Sequence, residues 1–85
     1  MNKFDPLSDY LQAQNKPEIV LSYEEIEDIL GFGLPRSALR AEWWDDDTPH
    51  HPRAQSQAIR AAGYDSRRLP EGNKVRFRKR SVFGY

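Results

Sequence analysis

The apolar positions of this chain recur at helical spacing in some stretches and alternate strand-like in others. Leu7, Tyr10 and Leu11 fall at i, i+3 and i+4 behind Asp5-Pro6, which predicts a short amphipathic helix with Asp5 as its N-cap, ending near Asn15 ahead of Pro17. Glu18-Ile19-Val20-Leu21 is too short and too branched for a helix and is expected as a strand. Ser22-Tyr23-Glu24-Glu25 has the form of a capping box. Ile26, Ile29 and Leu30 would be the buried stripe of the second helix, closed by Gly31 in a left-handed conformation. Pro35 is expected to open a third helix, with Leu39 and Trp43 four apart on one face. Asp45-Asp46-Asp47-Thr48-Pro49 reads as a loop, because adjacent carboxylates repel and proline disfavours helix before it. A fourth helix is expected from Pro52 to Ala62, closed by Gly63. Tyr64 to Leu69 and Lys74 to Arg80 alternate like strands, joined by Pro70-Glu71-Gly72-Asn73 as a hairpin turn.

Composition narrows this picture to one small domain. The chain has 85 residues, 18 of them Leu, Ile, Val or Phe, so its core must be thin and ten aromatic residues have to supply much of its volume. An ordered core of about residues 5–80 is expected, with 81–85 loose. The absence of cysteine removes disulfide staples, thiolate zinc sites and cysteine nucleophiles together. The N-terminus lacks the apolar region of a signal peptide and no apolar run reaches the ~20 residues of a membrane span. A cytoplasmic protein without membrane contact is the expectation.

Charge changes the picture more. The net charge is zero, from 13 basic and 13 acidic residues. Residues 1–52 hold 4 basic and 11 acidic side chains, a net of −7, and residues 53–85 hold 9 and 2, a net of +7. The order helix, strand, helix, turn, helix, and then a helix feeding a β-hairpin suggests an α+β domain resembling a winged helix-turn-helix. In that architecture the last helix before the hairpin enters the major groove and the hairpin holds the backbone. These are the two elements in which the positive charge resides.

On the fourth helix, Arg53, Ser56, Gln57 and Arg60 are spaced to share one face, opposite Ala58, Ile59 and Ala62. Arg and Gln can pair bidentately with guanine and adenine edges, and the small Ser56 would permit close approach. An ordinary solvated helix face has the same pattern. On the hairpin, Lys74, Arg76, Arg78 and Arg80 alternate with Val75 and Phe77, so four cations should share a face, with Arg67 and Arg68 adding charge from the preceding strand. Neutralising about four phosphates there would give a salt slope near −3.6. The bland alternatives are neutralisation by Glu24, Glu25, Glu27 and Asp28 of the second helix, or charges that protect an edge strand.

Trp43 and Trp44 are adjacent, and neighbouring helical residues point about 100° apart. At most one ring is expected at the centre of the core and the other at its margin, with packing of both into the core favoured in a domain this poor in aliphatics and Trp44 a candidate for a base or partner surface. Asp45, Asp46, Asp47, His50 and His51 are the only cluster with metal-ligand chemistry, but adjacent flexible side chains rarely converge on one ion without support elsewhere. No metal or cofactor is therefore expected. No serine lies in a G-x-S-x-G context and no glycine loop cradles phosphate, so no enzyme is expected. The leading expectation is a module binding DNA. The competing one is a protein-interaction or inhibitory accessory module of a mobile-element or defence system, docking a basic partner through Glu24, Glu25, Asp28 and Asp45 to Asp47. Pairing of opposite halves between chains would instead give a homodimer.

Several stretches together resemble a small prokaryotic domain family of unknown function. They are Asp5-Pro6-Leu7 with Tyr10-Leu11, Tyr23-Glu24-Glu25-Ile26-Glu27-Asp28-Ile29-Leu30-Gly31, Leu34-Pro35-Arg36-Ser37-Ala38, Trp43-Trp44, Gln55-Ser56-Gln57-Ala58 to Ala62-Gly63-Tyr64, and Val75-Arg76-Phe77-Arg78. The sequence departs from that pattern at Ile59, where tryptophan is usual, at Tyr23 in place of phenylalanine, and in a longer 45–54 segment without the usual asparagine. The resemblance implies one compact α+β domain and brings no activity with it.

Overall fold

A computed structural model describes residues 2–44 and 53–80, without the side chains of residues 41 and 42. The order is α1 (Asp5–Gln14), β1 (Glu18–Ser22), α2 (Tyr23–Leu30), a 3-10 turn (Arg36–Leu39), the single-turn α3 (Ala41–Trp44), α4 (Ala54–Ala61), β2 (Tyr64–Arg68) and β3 (Lys74–Lys79). It is a small α+β fold with an antiparallel sheet ordered β1-β3-β2. The expected hairpin forms, and β1 closes on its far side, so the last of the described strands is the central one.

Local signals account for most element ends. Asp5 lies inside α1, one residue after the N-cap Phe4, and its carboxylate accepts the backbone N–H of Asn2 at 3.2 Å. Asn15 ends that helix with a left-handed φ of 48°, a conformation asparagine tolerates. At α2 the capping box is complete: Ser22 Oγ accepts the Glu25 N–H at 3.1 Å, and Glu25 Oε1 accepts the Ser22 N–H at 2.9 Å. These bonds, chiefly the Ser22 backbone N–H and then its hydroxyl, hold the Glu25 carboxyl below the usual glutamate range. A lowered folded value means that the carboxylate stabilises the fold above the ordinary glutamate pKa and stops doing so as pH falls through the lowered one. Ser22→Ala is accordingly expected to cost about 1 kcal/mol at neutral pH, with a gap from wild type in urea denaturation that narrows in acid.

The sheet buries Ile19 and Leu21 of β1 in register with Phe77 and Val75 of β3. Leu7 and Leu11 of α1, Ile26 of α2 and Ile59 of α4 cover that face, with Tyr64 beneath them. α1 packs against both α2 and α4, while α2 also meets β1 and α4 meets β2. The helices therefore form one layer, with α2 and α4 over opposite edges of the sheet.

The third helix departs from expectation. Pro35 opens only the 3-10 turn; Arg40 is extended (φ −92°, ψ 141°) before α3 begins. The break separates Leu39, which is 52% exposed, from Trp43, which is buried. Both tryptophans are core residues because α3 is enclosed on two sides. Trp43 meets Phe4 edge-on at 5.9 Å, and Trp44 meets Tyr23 at 5.9 Å and Phe77 at 6.3 Å. The divergence of adjacent side chains is real, but each direction is filled.

Candidate nucleic-acid interface

α4 presents a narrower polar face than its spacing suggested. Arg53 and Gln57 are exposed and Arg60 is half-buried, but Ser56 is 6% exposed and belongs to the interior with Gln55, Ala58 and Ile59. The helix is rotated so that the small serine serves packing inside the fold rather than approach to a ligand. Gln55 Nε2 donates to the Trp43 carbonyl at 3.0 Å, and Ser66 Oγ donates to the Trp44 carbonyl at 2.7 Å. Both satisfy carbonyls that a one-turn helix cannot pair for itself. Trp44, a candidate interaction residue by sequence, is 2% exposed; its indole N–H donates to the Ala38 carbonyl at 2.8 Å and it offers no surface.

The outer face of the sheet carries the cations in rows set by the register. Arg67 lies directly opposite Arg76, while in the next row Asp65 and Glu18 flank Arg78 from either side. Lys74 lies beside Ser22, and Arg80 continues past the strand end. Glu18 Oε1 is 4.0 Å from Arg76 Nε and 3.8 Å from Arg78 Nε, and Asp65 Oδ1 is 3.6 Å from Arg80 Nε. Arg67 makes no ion pair among the described residues, and the Arg76 Nε is shielded from water without a hydrogen bond. The row is costly to build, since like charges directly opposite each other weaken a sheet.

Arg68 does not join this face. Strand alternation turns it to the helix side, where its Nε donates to the Tyr23 hydroxyl at 3.1 Å. That hydroxyl donates to the Ala38 carbonyl, so the arginine completes a buried polar junction between β2, α2 and the 3-10 turn. The carboxylates that temper the outer face are also not those of α2. Glu27 Oε2 accepts the Leu34 N–H at 2.7 Å, Glu25 is committed to its cap with Lys74 as a minor influence, and Glu24 and Asp28 are exposed. Glu18 and Asp65 do the tempering, and both could be found by extending strand alternation to β1 and β2.

Two basic surfaces result. Lys74, Arg76, Arg78 and Arg67 leave the sheet on the side away from the helices, whereas Arg53, Gln57 and Arg60 stand on α4 in the helical layer. Asp45, Asp46, Asp47, His50 and His51 lie outside the described residues. Among the described residues no three His, Asp or Glu side chains gather as a metal site, and no helix is long and apolar enough to cross a membrane.

No curated protein and no solved structure matches the chain. A family model does match, over residues 4–81, a span that contains every element from α1 to β3. By that match the chain belongs to the family described as Domain of unknown function (DUF7662).

Proposed function

We propose that this protein is a non-enzymatic nucleic-acid-binding module that holds the phosphate backbone of duplex DNA on the outer face of its sheet. The observation that carries this reading is the Arg67–Arg76 row: two arginines paired directly opposite each other in the strand register, where a phosphate would turn a folding cost into a binding contribution. Among the described residues, the strands put no aromatic ring on this face, which carries Glu18, Val20, Ser22, Asp65, Arg67 and the β3 cations. A face without stacking platforms suits a duplex better than a single strand.

The β1-β3-β2 strand order and the helix that feeds the hairpin support the reading, being compatible with the winged-helix architecture proposed from the element order. The path from α2 to α4 runs through the 3-10 turn and α3, much longer than the three- or four-residue turn of a helix-turn-helix. Groove reading by Arg53 and Gln57 of α4 is therefore a separate contribution, to be tested by its own variants.

Five cations on the sheet face (Arg67, Lys74, Arg76, Arg78, Arg80) against two carboxylates (Glu18, Asp65) leave three uncompensated charges. At about 0.9 per phosphate, fluorescence anisotropy with a labelled duplex should give a logarithmic salt slope of about −2.7. Absence of binding at ~100 μM protein and about 50 mM salt would sink the proposal.

A second reading has one observation in its favour. Glu24 and Asp28, four apart and exposed on α2, make no ion pair among the described residues. A basic protein docking on this flank would be recovered stoichiometrically in a pull-down that Glu24→Lys abolishes, with no salt-sensitive affinity for DNA.

A further inference from the structure

β1 brings a single carboxylate, Glu18, to the cationic face of the sheet. The Lys79 N–H donates to the Pro17 carbonyl and the Tyr23 N–H to the Asn73 carbonyl, each at 2.8 Å, so Ile19 and Leu21 between them make the hydrogen-bonded pairs with β3. Glu18 and Arg78 therefore form a non-hydrogen-bonded pair, the kind whose side chains approach more closely, and Arg76 stands diagonally beside them. One oxygen, Glu18 Oε1, serves both guanidinium groups, 3.8 Å from Arg78 Nε and 4.0 Å from Arg76 Nε. Neither separation is a hydrogen bond, which needs about 2.7–3.2 Å. The Glu18 and Arg78 side chains are 52% and 67% exposed, and the Arg76 Nε is shielded from water without a hydrogen bond. A carboxylate so placed neutralises charge while engaging neither donor.

We propose that Glu18 is a placeholder for phosphate: its carboxylate occupies the position between Arg76 and Arg78 that a phosphate group of the ligand takes, and binding displaces it. Both groups are oxyanions suited to guanidinium forks, but a tetrahedral phosphate has more oxygens to offer and can accept from both arginines at once, the unpaired Arg76 donor included. Exposed ion pairs are weak, so Glu18 yields at little cost. Asp65 is the internal comparison. Its Oδ1 lies 3.6 Å from Arg80 Nε, past the end of β3, so its ion pair is at the rim of the face rather than between the two arginines. The role of Glu18 rests on the nucleic-acid reading only for the source of the phosphate. Glu18 is also where the acidic and basic halves of the chain meet on this face.

The test compares Glu18→Gln with Asp65→Asn, two near-isosteric substitutions that each remove one negative charge from the same face. The Nε–H resonances of Arg76 and Arg78 are followed in ¹⁵N-labelled protein as inorganic phosphate is added at constant ionic strength, with the buried Trp44 indole reporting an intact fold. Expected is a response that saturates at several-fold lower phosphate in Glu18→Gln than in wild type and is little changed in Asp65→Asn. Equal responses in wild type and Glu18→Gln, or an equal gain in Asp65→Asn, would overturn the placeholder. A labelled DNA duplex is titrated next. Either variant leaves four uncompensated cations on the face, so both steepen the salt slope alike, to about −3.6. Affinity separates them: Glu18→Gln tightens duplex binding on the order of tenfold, and Asp65→Asn by only a few-fold. Duplex binding that Glu18→Gln tightens no more than Asp65→Asn does would end the placeholder and spare the proposed function. A stronger phosphate response in Glu18→Gln, with no duplex affinity in any of the three proteins, would do the reverse.

Discussion

Trp44→Ala is expected to cost about 3–5 kcal/mol, the range for removing a large buried aromatic side chain. For 85 residues the whole stability is roughly 4–13 kcal/mol, so this change leaves a marginal domain. The ring packs against Tyr23 of α2, Trp43 of α3 and Phe77 of β3, so its removal loosens three elements at once. The Ala38 carbonyl keeps the Tyr23 hydroxyl as a partner, so the loss is mainly volume rather than an orphaned acceptor. Urea denaturation should show a large drop in midpoint. Tyr23→Phe is the contrast, because it removes one hydroxyl and strands the Arg68 Nε at about 1–3 kcal/mol. A Trp44→Ala protein of wild-type stability would mean that the ring is not a core residue.

Arg67→Glu should move stability and binding in opposite directions. The substitution turns a like-charged cross-strand pair with Arg76 into an attractive one, and such pairs contribute about 0.2–1 kcal/mol. The same change removes a cation from the proposed phosphate surface and adds an anion, which should weaken duplex affinity on the order of tenfold and flatten the salt slope. A merely structural role for Arg67 predicts that both quantities change in the same sense or that affinity does not move. Arg67→Gln should fall between wild type and Arg67→Glu in both measurements. An Arg67→Glu protein with undiminished affinity would remove the sheet face from the interface.

What the chain discloses about itself is mostly local. Ser22 with Glu25, Gly31 after Leu30, and Val75 with Phe77 act through neighbours a few positions away, and their pattern is therefore legible. The rotation of α4 is not local: whether Ser56 or Ala54 faces inward depends on where α1 and β2 lie, and the apolar residues of so short a helix do not fix it. The break at Arg40 has the same character, since nothing between Pro35 and Trp44 forbids a continuous helix. Burying both indoles is what the break accomplishes. Arg68 is legible by the same rule: adjacent strand residues face opposite ways, so a strand that sets Arg67 outside sets Arg68 on the helix side. The place of β1 beyond β3 required pairing across more than fifty residues, which no local pattern carries.

The sheet order bears on how the chain is made. Because β3 lies between the two earlier strands, neither Ile19 nor Leu21 has anything to pair with until residues 74–79 have been synthesised. β1 must wait, unpaired, while the fifty-odd residues that separate it from β3 are made, and the sheet then closes through long-range contacts. A stop codon between residues 69 and 74 would remove the middle of the sheet rather than its edge, leaving β1 and β2 without the strand that both pair with.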